Sequence, residues 1–554
     1  MQFSCIIKSL MRIVHGAAAL AFIPMAVWAQ SDNPCPRFAA GSAITEPANL
    51  WSRSGMLQVA FTYQTRTDPN GNILYCYTTA SGVQSPTLRV RPGDLLKISL
   101  QNAVPPSASS SAMGAMPGMT GSSPTASTCG SGSMTASSTN IHYHGTNTAP
   151  VCHQDEVIHT LVNSGETFEY ALQIPSDEPP GLYWYHPHVH GISEAAVLGG
   201  ASGALIVEGI ENVNPAVAGL PQQVLVIRDN PVPGNPTPGG DVPSWDLSLN
   251  YIPIPSPNYT PAIIRMKPSE KQFWRVLNAS ADTIIDLRLQ YDGVAQPLSV
   301  VALDGVPTGS QDGTTHGASV SMTDILLAPA ARAEFVVTGP SAAVLNATLL
   351  TLNINTGPDG DYDPTRPLAR IVTGANAAEP ALTVPAVSGP PPAARFAGLA
   401  SATPTAQRRL YFSEVLSDPS DPNSPTNFYI TVDGQQPVLF NPDNPPAITT
   451  TQGSVEDWTI ENRALENHAF HIHQIHFLLL GRNGAPVPAA DAQYFDTVQV
   501  PFWSGTGPYP SLTVRMDFRG PTVGDFVYHC HILGHEDAGM MAIIRVNPSA
   551  AAAP

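Results

Sequence analysis

Apolar and polar residues alternate with a period of two in short runs along most of the 554-residue chain. That is the pattern of strands with one buried face. Residues 57–66 (LQVAFTYQTR) and 87–100 (TLRVRPGDLLKISL) read this way around a turn sequence, DPNGN, at 68–72. The run ALIVEGI at 204–210 closes a first group of strands. The same signal returns between residue 222 and about 373, in VLVIRD, KQFWRVLNAS, TIIDLRL, AEFVVTG and LLTLNIN. A third group starts near Arg409 and ends on GDFVY at 524–528. The pattern predicts an all-β protein, and a chain of this length is too long for one core, so three domains are expected.

Composition agrees: 44 Gly, 56 Pro and only 12% charged residues suit many turns between strands. The expected boundaries are a signal segment at 1–29, a first domain at 30–211 with an insert at 107–138, a second at 212–373, an Ala/Pro-rich linker without periodicity at 374–407, and a third domain at 408–554. In the first segment Lys8 and Arg12 precede an apolar run at 13–28, and small residues Val27 and Ala29 stand before Gln30 as at a signal cleavage site. Met11 is an alternative start. A retained anchor is the rival reading, but Pro24 interrupts the run and it is short for a membrane span. The mature protein is therefore expected to be soluble and exported, periplasmic or secreted. Its net charge of −18 argues against nucleic acid or an anionic membrane surface as partner and favours cations.

Of six cysteines, Cys5 lies in the signal segment and Cys530 in a histidine-rich stretch. The remaining four, Cys35, Cys76, Cys129 and Cys152, read as disulfides in an exported protein. Three connectivities are open, and the two most local closures, Cys35–Cys76 and Cys129–Cys152, are favoured. The insert is rich in Ser, Gly, Ala and Thr and reads as a loosely held loop. Met113, Met116 and Met119 recur in it at every third position, with Met134 further on. Thioethers bind Cu(I), so the insert is either a copper-collecting arm or a tolerated surface insertion. Asn258, Asn278 and Asn346 begin N-x-S/T triplets, which matter only in a host that glycosylates.

The chemistry gathers in YHCHILGHEDAGMM at 528–541. Cys530 sits between His529 and His531, with His535 and Met540 following. A thiolate, two imidazoles and a weak axial thioether make a blue copper site. On a strand, Cys530 would point one way and His529 and His531 the other. The bland alternative is a buried free cysteine with incidental histidines. Three further clusters weigh against it: His142 and His144 in HYHG, His186 and His188 in HPHVHG, and His468, His471 and His473 in HAFHIH. The first two are HxH pairs in strand context, with both rings of a pair on one side. His153, His159 and His190 lie nearby and read as non-ligands. The middle group of strands contains one histidine, His316, and no cysteine. It can hold no such site and is expected to space and bury its neighbours. Ten of the 16 histidines thus fall in two clusters near the start and two near the end. This predicts that the first and last domains meet and share metals. Zinc needs only about four ligands, so ten His and one Cys suit several coppers better.

In order and spacing these four motifs resemble those of the multicopper oxidases, of three-domain laccase type, and the resemblance covers nearly the whole mature chain. The wording DEPPGLYWYHPHVHG and FVYHCHILGHEDAGMM is similar to bacterial members. Tyr143 stands where many members have Trp, and the Met-rich insert departs from the commonest pattern. The resemblance implies three cupredoxin-like Greek-key domains, β-sandwiches or barrels, and four coppers per chain. It places type 1 copper on His468, Cys530, His535 and axial Met540, and type 2 copper on His142 and His471. The type 3 pair takes His144, His186 and His531 on one ion and His188, His473 and His529 on the other. It further implies one-electron oxidation of phenolic or aromatic amine donors, with electrons passing through Cys530 to the trinuclear cluster, where O2 is reduced to water. Asp155 and Glu536 match the acids that feed protons to the cluster, with Asp537 easily mistaken for Glu536. The alternative for both acids is an orienting role toward histidines. Two rival functions are a cuprous or similar metal oxidase in copper tolerance, toward which the Met residues and acidity lean, and a non-catalytic copper-binding cupredoxin.

Deleting the insert separates the two readings of its methionines. With Cys129 kept paired, or removed together with Cys152, a copper-collecting arm predicts a selective fall in Cu(I) turnover and unchanged phenol turnover. Equal losses would indicate general destabilisation, and no loss a plain loop.

Overall fold

The protein was analysed as a computed structural model that describes residues 33–106, 129–130, 132–309, 317–391, 393–421 and 423–549. The expected signal segment, His316 and Met113, Met116 and Met119 lie outside these residues. Among the described residues almost all the regular structure is strand, arranged in six sheets that follow one another along the chain in three pairs. The all-β, cupredoxin-like expectation holds.

The first pair has a four-stranded sheet in the order Ile73–Thr79, Met56–Thr67, Leu95–Asn102, Thr167–Gln173. Its partner runs Asn49–Trp51, Thr87–Val90, Gly203–Val207, Gly181–His186, His142–His144. Leu57, Val59 and Phe61 from the first sheet and Leu88, Val90 and Leu205 from the second share one buried cluster. Along Met56–Thr67 these apolar side chains occupy alternate positions, as the period of two requires. The middle pair has nine and six strands. The last pair has seven and five, and its five-stranded sheet runs Ile448–Thr451, Met541–Asn547, Gly524–Cys530, His468–Ile472, Thr497–Val500. One apolar cluster runs through the middle and last pairs and includes Trp274, Phe335, Trp458, Phe470, Cys530 and Met540. Each such large apolar side chain contributes about 1.5–3 kcal/mol by leaving water.

Some details differ from the sequence pattern. The alternating run at 87–100 is two strands in different sheets, Thr87–Val90 and Leu95–Asn102. A Pro92–Gly93 turn separates them: the Asp94 side chain accepts the Arg91 N–H at 2.8 Å, and Gly93 has φ +86°. After the DPNGN turn the chain goes directly into Ile73–Thr79, which pairs antiparallel with Met56–Thr67. That strand lacks clean alternation. The run at 204–210 stops as a strand at Val207, because Gly209 at φ +117° starts the short helix Ile210–Val213. The Ala/Pro-rich stretch at 374–407 is docked along the body: Leu382–Thr383 pairs with Pro221–Gln222, and Phe396 and Leu399 are buried. Asn278, at the second N-x-S/T triplet, is fully buried and its amide donates to Thr283, Leu327 and Ala328 carbonyls, so it is closed to a glycan. The disulfides are Cys35–Cys76 and Cys129–Cys152, and Cys530 is free and buried. No helix among the described residues is long and apolar enough to cross a membrane.

Candidate metal centre

The strand Gly524–Cys530 lies antiparallel to His468–Ile472, with Phe470 opposite Cys530 and His471 opposite His529. Directly paired residues share a face, and neighbours along a strand alternate. Cys530 and His468 therefore project to one side of this sheet, and His529 and His471 to the other. On the first side, Cys530 Sγ is 3.6 Å from His468 Nδ1 and 3.8 Å from His535 Nδ1, and those two nitrogens are 3.0 Å apart. His535 reaches this point from the short helix Leu533–Asp537. Burial alone would raise the Cys530 thiol, but hydrogen bonds with His468 and His535 bring it down to about 6. A thiolate facing two imidazoles is the donor set of a soft metal, and it fits copper.

The adjacent methionines separate cleanly. Met540 lies in the same apolar cluster as Cys530, and its carbonyl accepts the Cys530 N–H at 3.1 Å. Met541 is opposite His529 in the ladder and packs with Val157, Phe440, Val527 and Ile543 on the far face. The outer imidazole nitrogens meet carboxylates: His468 Nε2 is 3.0 Å from Glu414 Oε1 and His535 Nε2 is 3.4 Å from Glu466 Oε2. His468 is 0% exposed and His535 9%, so His535 is where this group comes nearest to solvent. Phe428 stacks on the His535 ring at 4.4 Å.

Eight histidines converge on the opposite side. The strand His142–His144 pairs with Gly181–His186 so that His142 faces His186. The second HxH is only half on a strand: its strand ends at His186, Pro187 offers no N–H, and the His188 N–H donates to Asn140 Oδ1 at 2.7 Å. The Nε2 atoms of His188, His473 and His529 lie 3.1, 3.2 and 3.3 Å from one another. Imidazoles about 2.0 Å from one ion would sit about 3.3 Å apart, so the spacing suits a shared metal. His144, His186 and His531 form a second such group, and His142, His144 and His471 a third, each with ring nitrogens within 4.8 Å. His144 belongs to both.

Outer contacts fix the rings. His142 Nδ1 is 3.0 Å from Asp155 Oδ1, His144 Nε2 is 3.1 Å from Asp496 Oδ1, and His186 Nδ1 is 2.9 Å from the Pro187 carbonyl. His471 Nδ1 is 2.8 Å from the Asp496 carbonyl and His529 Nδ1 is 2.8 Å from that of Cys530. An N–H held outward leaves a lone pair inward, as metal ligation requires. The inward atoms His142 Nε2, His144 Nδ1, His186 Nε2 and His471 Nε2, and both nitrogens of His531, are buried without a hydrogen-bond partner. Burial, then the neighbouring histidines, drive His144, His188, His471, His473 and His531 well below the usual histidine range. Burial takes His529 down to about 3. These rings are neutral at pH 7, the form that binds a metal.

The two candidate acids differ. Asp155 is fully engaged: Oδ1 also accepts the Tyr143 N–H at 3.0 Å, and Oδ2 accepts the Gln474 amide at 2.6 Å. Glu536 is 0% exposed, with Oε2 3.4 Å from His529 Nδ1 and Oε1 3.8 Å from His188 Nδ1. Burial, then the charge of Asp537, raise its carboxyl well above the usual range, which favours the protonated form. Asp537 turns away and accepts the Gly191 and Glu194 N–H groups at 2.7 and 2.9 Å.

All ten histidines of the four motifs thus come together with Cys530, while His153, His159 and His190 join none of the groups among the described residues. Sequence reasoning passed over Glu414, Glu466, Gln474, Asp496 and Arg332. Gln474 and Glu466 flank the motif at 468–473 but are common residue types, and Glu414, Asp496 and Arg332 come to the site only through tertiary structure.

Sheets of cupredoxin type, with a Cys–His–His group backing directly onto a buried nest of imidazoles, define the class of copper oxidoreductases. Models of the family described as Multicopper oxidase match residues 133–212 and 419–550, the parts that carry the motifs. The McoA multicopper oxidase of Aquifex aeolicus is 19% identical with a TM-score of 0.65, covering 92% of this chain and 100% of its own. A multicopper oxidase of Campylobacter jejuni, described as a metallo-oxidase, is 21% identical with a TM-score of 0.65, covering 92% and 96%. The laccase-like CueO of Ochrobactrum sp., described as having oxidase activity towards lignin model compounds and lignosulfonate, is 20% identical with a TM-score of 0.60, covering 91% and 100%. These matches assign residues 133–212 and 419–550 to multicopper oxidase domains, and the solved structures share the fold of the chain.

The placement of the methionines sets an expectation for copper-loaded protein. A thioether that Met540 gave to a copper at Cys530 would stabilise Cu(II) over Cu(I) relative to an apolar residue. Redox titration of Met540→Leu should show a raised potential, and Met541→Leu should leave it unchanged. A rise only in Met541→Leu would overturn the placement.

Proposed function

We propose that this protein is an exported laccase-like oxidase that couples one-electron oxidation of phenolic or aromatic amine donors to four-electron reduction of O2 to water. His468, Cys530, His535 and Met540 would hold the type 1 copper, and His142 and His471 the type 2 copper. His144, His186 and His531, and His188, His473 and His529, would hold the type 3 pair, making four coppers per chain. Bound copper supplies the one-electron chemistry at Cys530 and the reduction of O2 at the histidine nest. The observation that carries the reading is that Cys530 faces one group while its covalent neighbours His529 and His531 belong to the other. Peptide bonds alone join the two groups, so a donor need never reach the oxygen site.

The chain's own residues divide the remaining work. His535, buried but at 9% exposure the member of its group nearest to solvent, offers the donor an edge near the surface. Glu536, its carboxyl raised by burial and placed beside His529 and His188, would supply a proton where oxygen reduction consumes one. Asp155, with both oxygens committed, supports an orienting role toward His142. Two disulfides are consistent with an oxidising compartment. A second reading, oxidation of a metal ion such as Cu(I), draws support from Glu414 and Glu466 at the outer nitrogens of His468 and His535, where carboxylates would attract a cation.

Steady-state oxygen uptake by copper-loaded protein with methoxyphenols, aromatic amines and Cu(I) tests the assignment. Uptake with the organic donors is expected, and Cys530→Ser should abolish both it and the blue absorption while copper remains at the histidine nest. Uptake with Cu(I) alone would favour the metal oxidase, and colour surviving in Cys530→Ser would refute the type 1 assignment.

Glu536→Gln keeps the shape and loses the proton. It should slow turnover about 10- to 100-fold with every donor without changing the blue band. Asp155→Ala should lower copper content at the nest, with Asp155→Asn milder. Normal turnover in Glu536→Gln, combined with slow turnover at full copper content in Asp155→Asn, would exchange the two roles.

A further inference from the structure

Among the described residues the middle pair of sheets contributes no histidine to the centre, yet one of its arginines reaches it. Arg332 opens the strand Arg332–Thr338 and is fully buried. Its Nη1 and Nη2 donate to Asp496 Oδ1 and Oδ2 at 2.8 and 2.6 Å, a bidentate pair. Its Nε donates to the Leu182 carbonyl at 3.0 Å, which ties it to the first pair of sheets. Asp304, also from the middle part, braces both partners. Its Oδ1 accepts the Arg332 N–H at 2.8 Å, and its Oδ2 accepts the Asp496 and Thr497 N–H groups, each at 3.2 Å.

Asp496 passes this constraint to two histidines from different ends of the chain. Oδ1 faces His144 Nε2 at 3.1 Å, and the carbonyl accepts from His471 Nδ1 at 2.8 Å. Thr497 Oγ1 lies 3.1 Å from the same His471 nitrogen and donates to Asp496 Oδ1 at 2.8 Å. The glycine of HYHG answers to the same pair. A Cβ on Gly145 would lie 2.3 Å from Arg332 Nη2 and 2.6 Å from Asp496 Oδ2, at a φ of +84° that favours glycine anyway.

We propose that Arg332 is a positioning residue for the histidine nest: it locks Asp496, and Asp496 sets the ring orientation of His144 and His471. The middle part of the chain thereby takes part in the metal centre with none of its described residues in the ligand groups. Only the effect on copper rests on the ligand assignments proposed above. A carboxylate that orients a metal-binding imidazole is typically worth 10- to 100-fold in metal affinity. Lysine cannot replace the planar two-point grip of arginine on a carboxylate.

The test uses the full chain with Arg332→Met, Arg332→Lys, Asp496→Asn and the double variant Arg332→Met/Asp496→Asn. In copper-loaded Arg332→Met the blue band should persist, the type 2 electron paramagnetic resonance signal should change, and copper affinity at the nest should fall 10- to 100-fold by chelator competition. Arg332→Lys should recover part of the loss, and it carries the test if Arg332→Met does not fold. The double variant should lose little more than either single one, because both act through one unit. In metal-free protein, hydrogen exchange at residues 142–147 and 471–477 should speed up in Arg332→Met or Arg332→Lys. Unchanged exchange and an unchanged type 2 signal, or equal loss of the blue band and nest copper, would overturn the proposal. A wild-type chain that binds no copper at the nest would instead contradict the ligand assignments, and the metal-free exchange would still decide the role of Arg332.

Discussion

Side chains on a strand must alternate, and at His529–Cys530–His531 that rule sends a sulfur one way and two imidazoles the other. The rest of the centre follows from this. The face that receives Cys530 is apolar and closed, lined by Phe470, Tyr528 and Met540, with His468 and His535 as its nitrogen donors. The face that receives His529 and His531 is built from imidazoles. A one-residue slip in register would exchange the two environments and destroy both.

The nest is energetically expensive as a piece of protein. Six of its imidazoles carry at least one buried ring nitrogen without a hydrogen bond. Each such atom costs about 1–3 kcal/mol. A core of this kind is tolerated where a metal supplies the missing interactions. Around it the acceptors are arranged by function. Backbone carbonyls and Asp155 and Asp496 hold N–H groups outward. Glu536 lies at longer distances from His529 and His188, and burial pushes its carboxyl upward. The buried ion pair of Arg332 and Asp496 joins all three parts of the chain at this point.

Much of this was legible in the sequence, because the chemistry is carried by rare residues at fixed local spacing. HxH and HCH declare ligands and faces within three positions, and the clustering of histidines at the two ends of the chain implies that those ends meet. The two disulfides followed from local closure. What the sequence concealed was non-local. Arg332 and Asp496 are 164 positions apart and become recognisable only as a pair. Glu414 and Glu466 are ordinary acidic residues until folding sets them against His468 and His535. The run at 87–100 read as one strand because its alternation carries across Pro92–Gly93, where the backbone turns from one sheet to the other. Beside their motifs Asp155 read as the favoured proton relay and Glu536 as open between relay and orienting role, and the hydrogen bonds on each became visible only in the fold.

The central claim is that the first and last parts of the chain share metals across one interface, with a separate single-metal group one residue away. Anomalous scattering from copper-loaded crystals at the copper absorption edge tests it most directly. The account predicts one isolated peak between Cys530, His468 and His535 and three clustered peaks among His142, His144, His186, His188, His471, His473, His529 and His531. A peak at Cys530 with none in the nest, or metals bound only by histidines from one end of the chain, would contradict it.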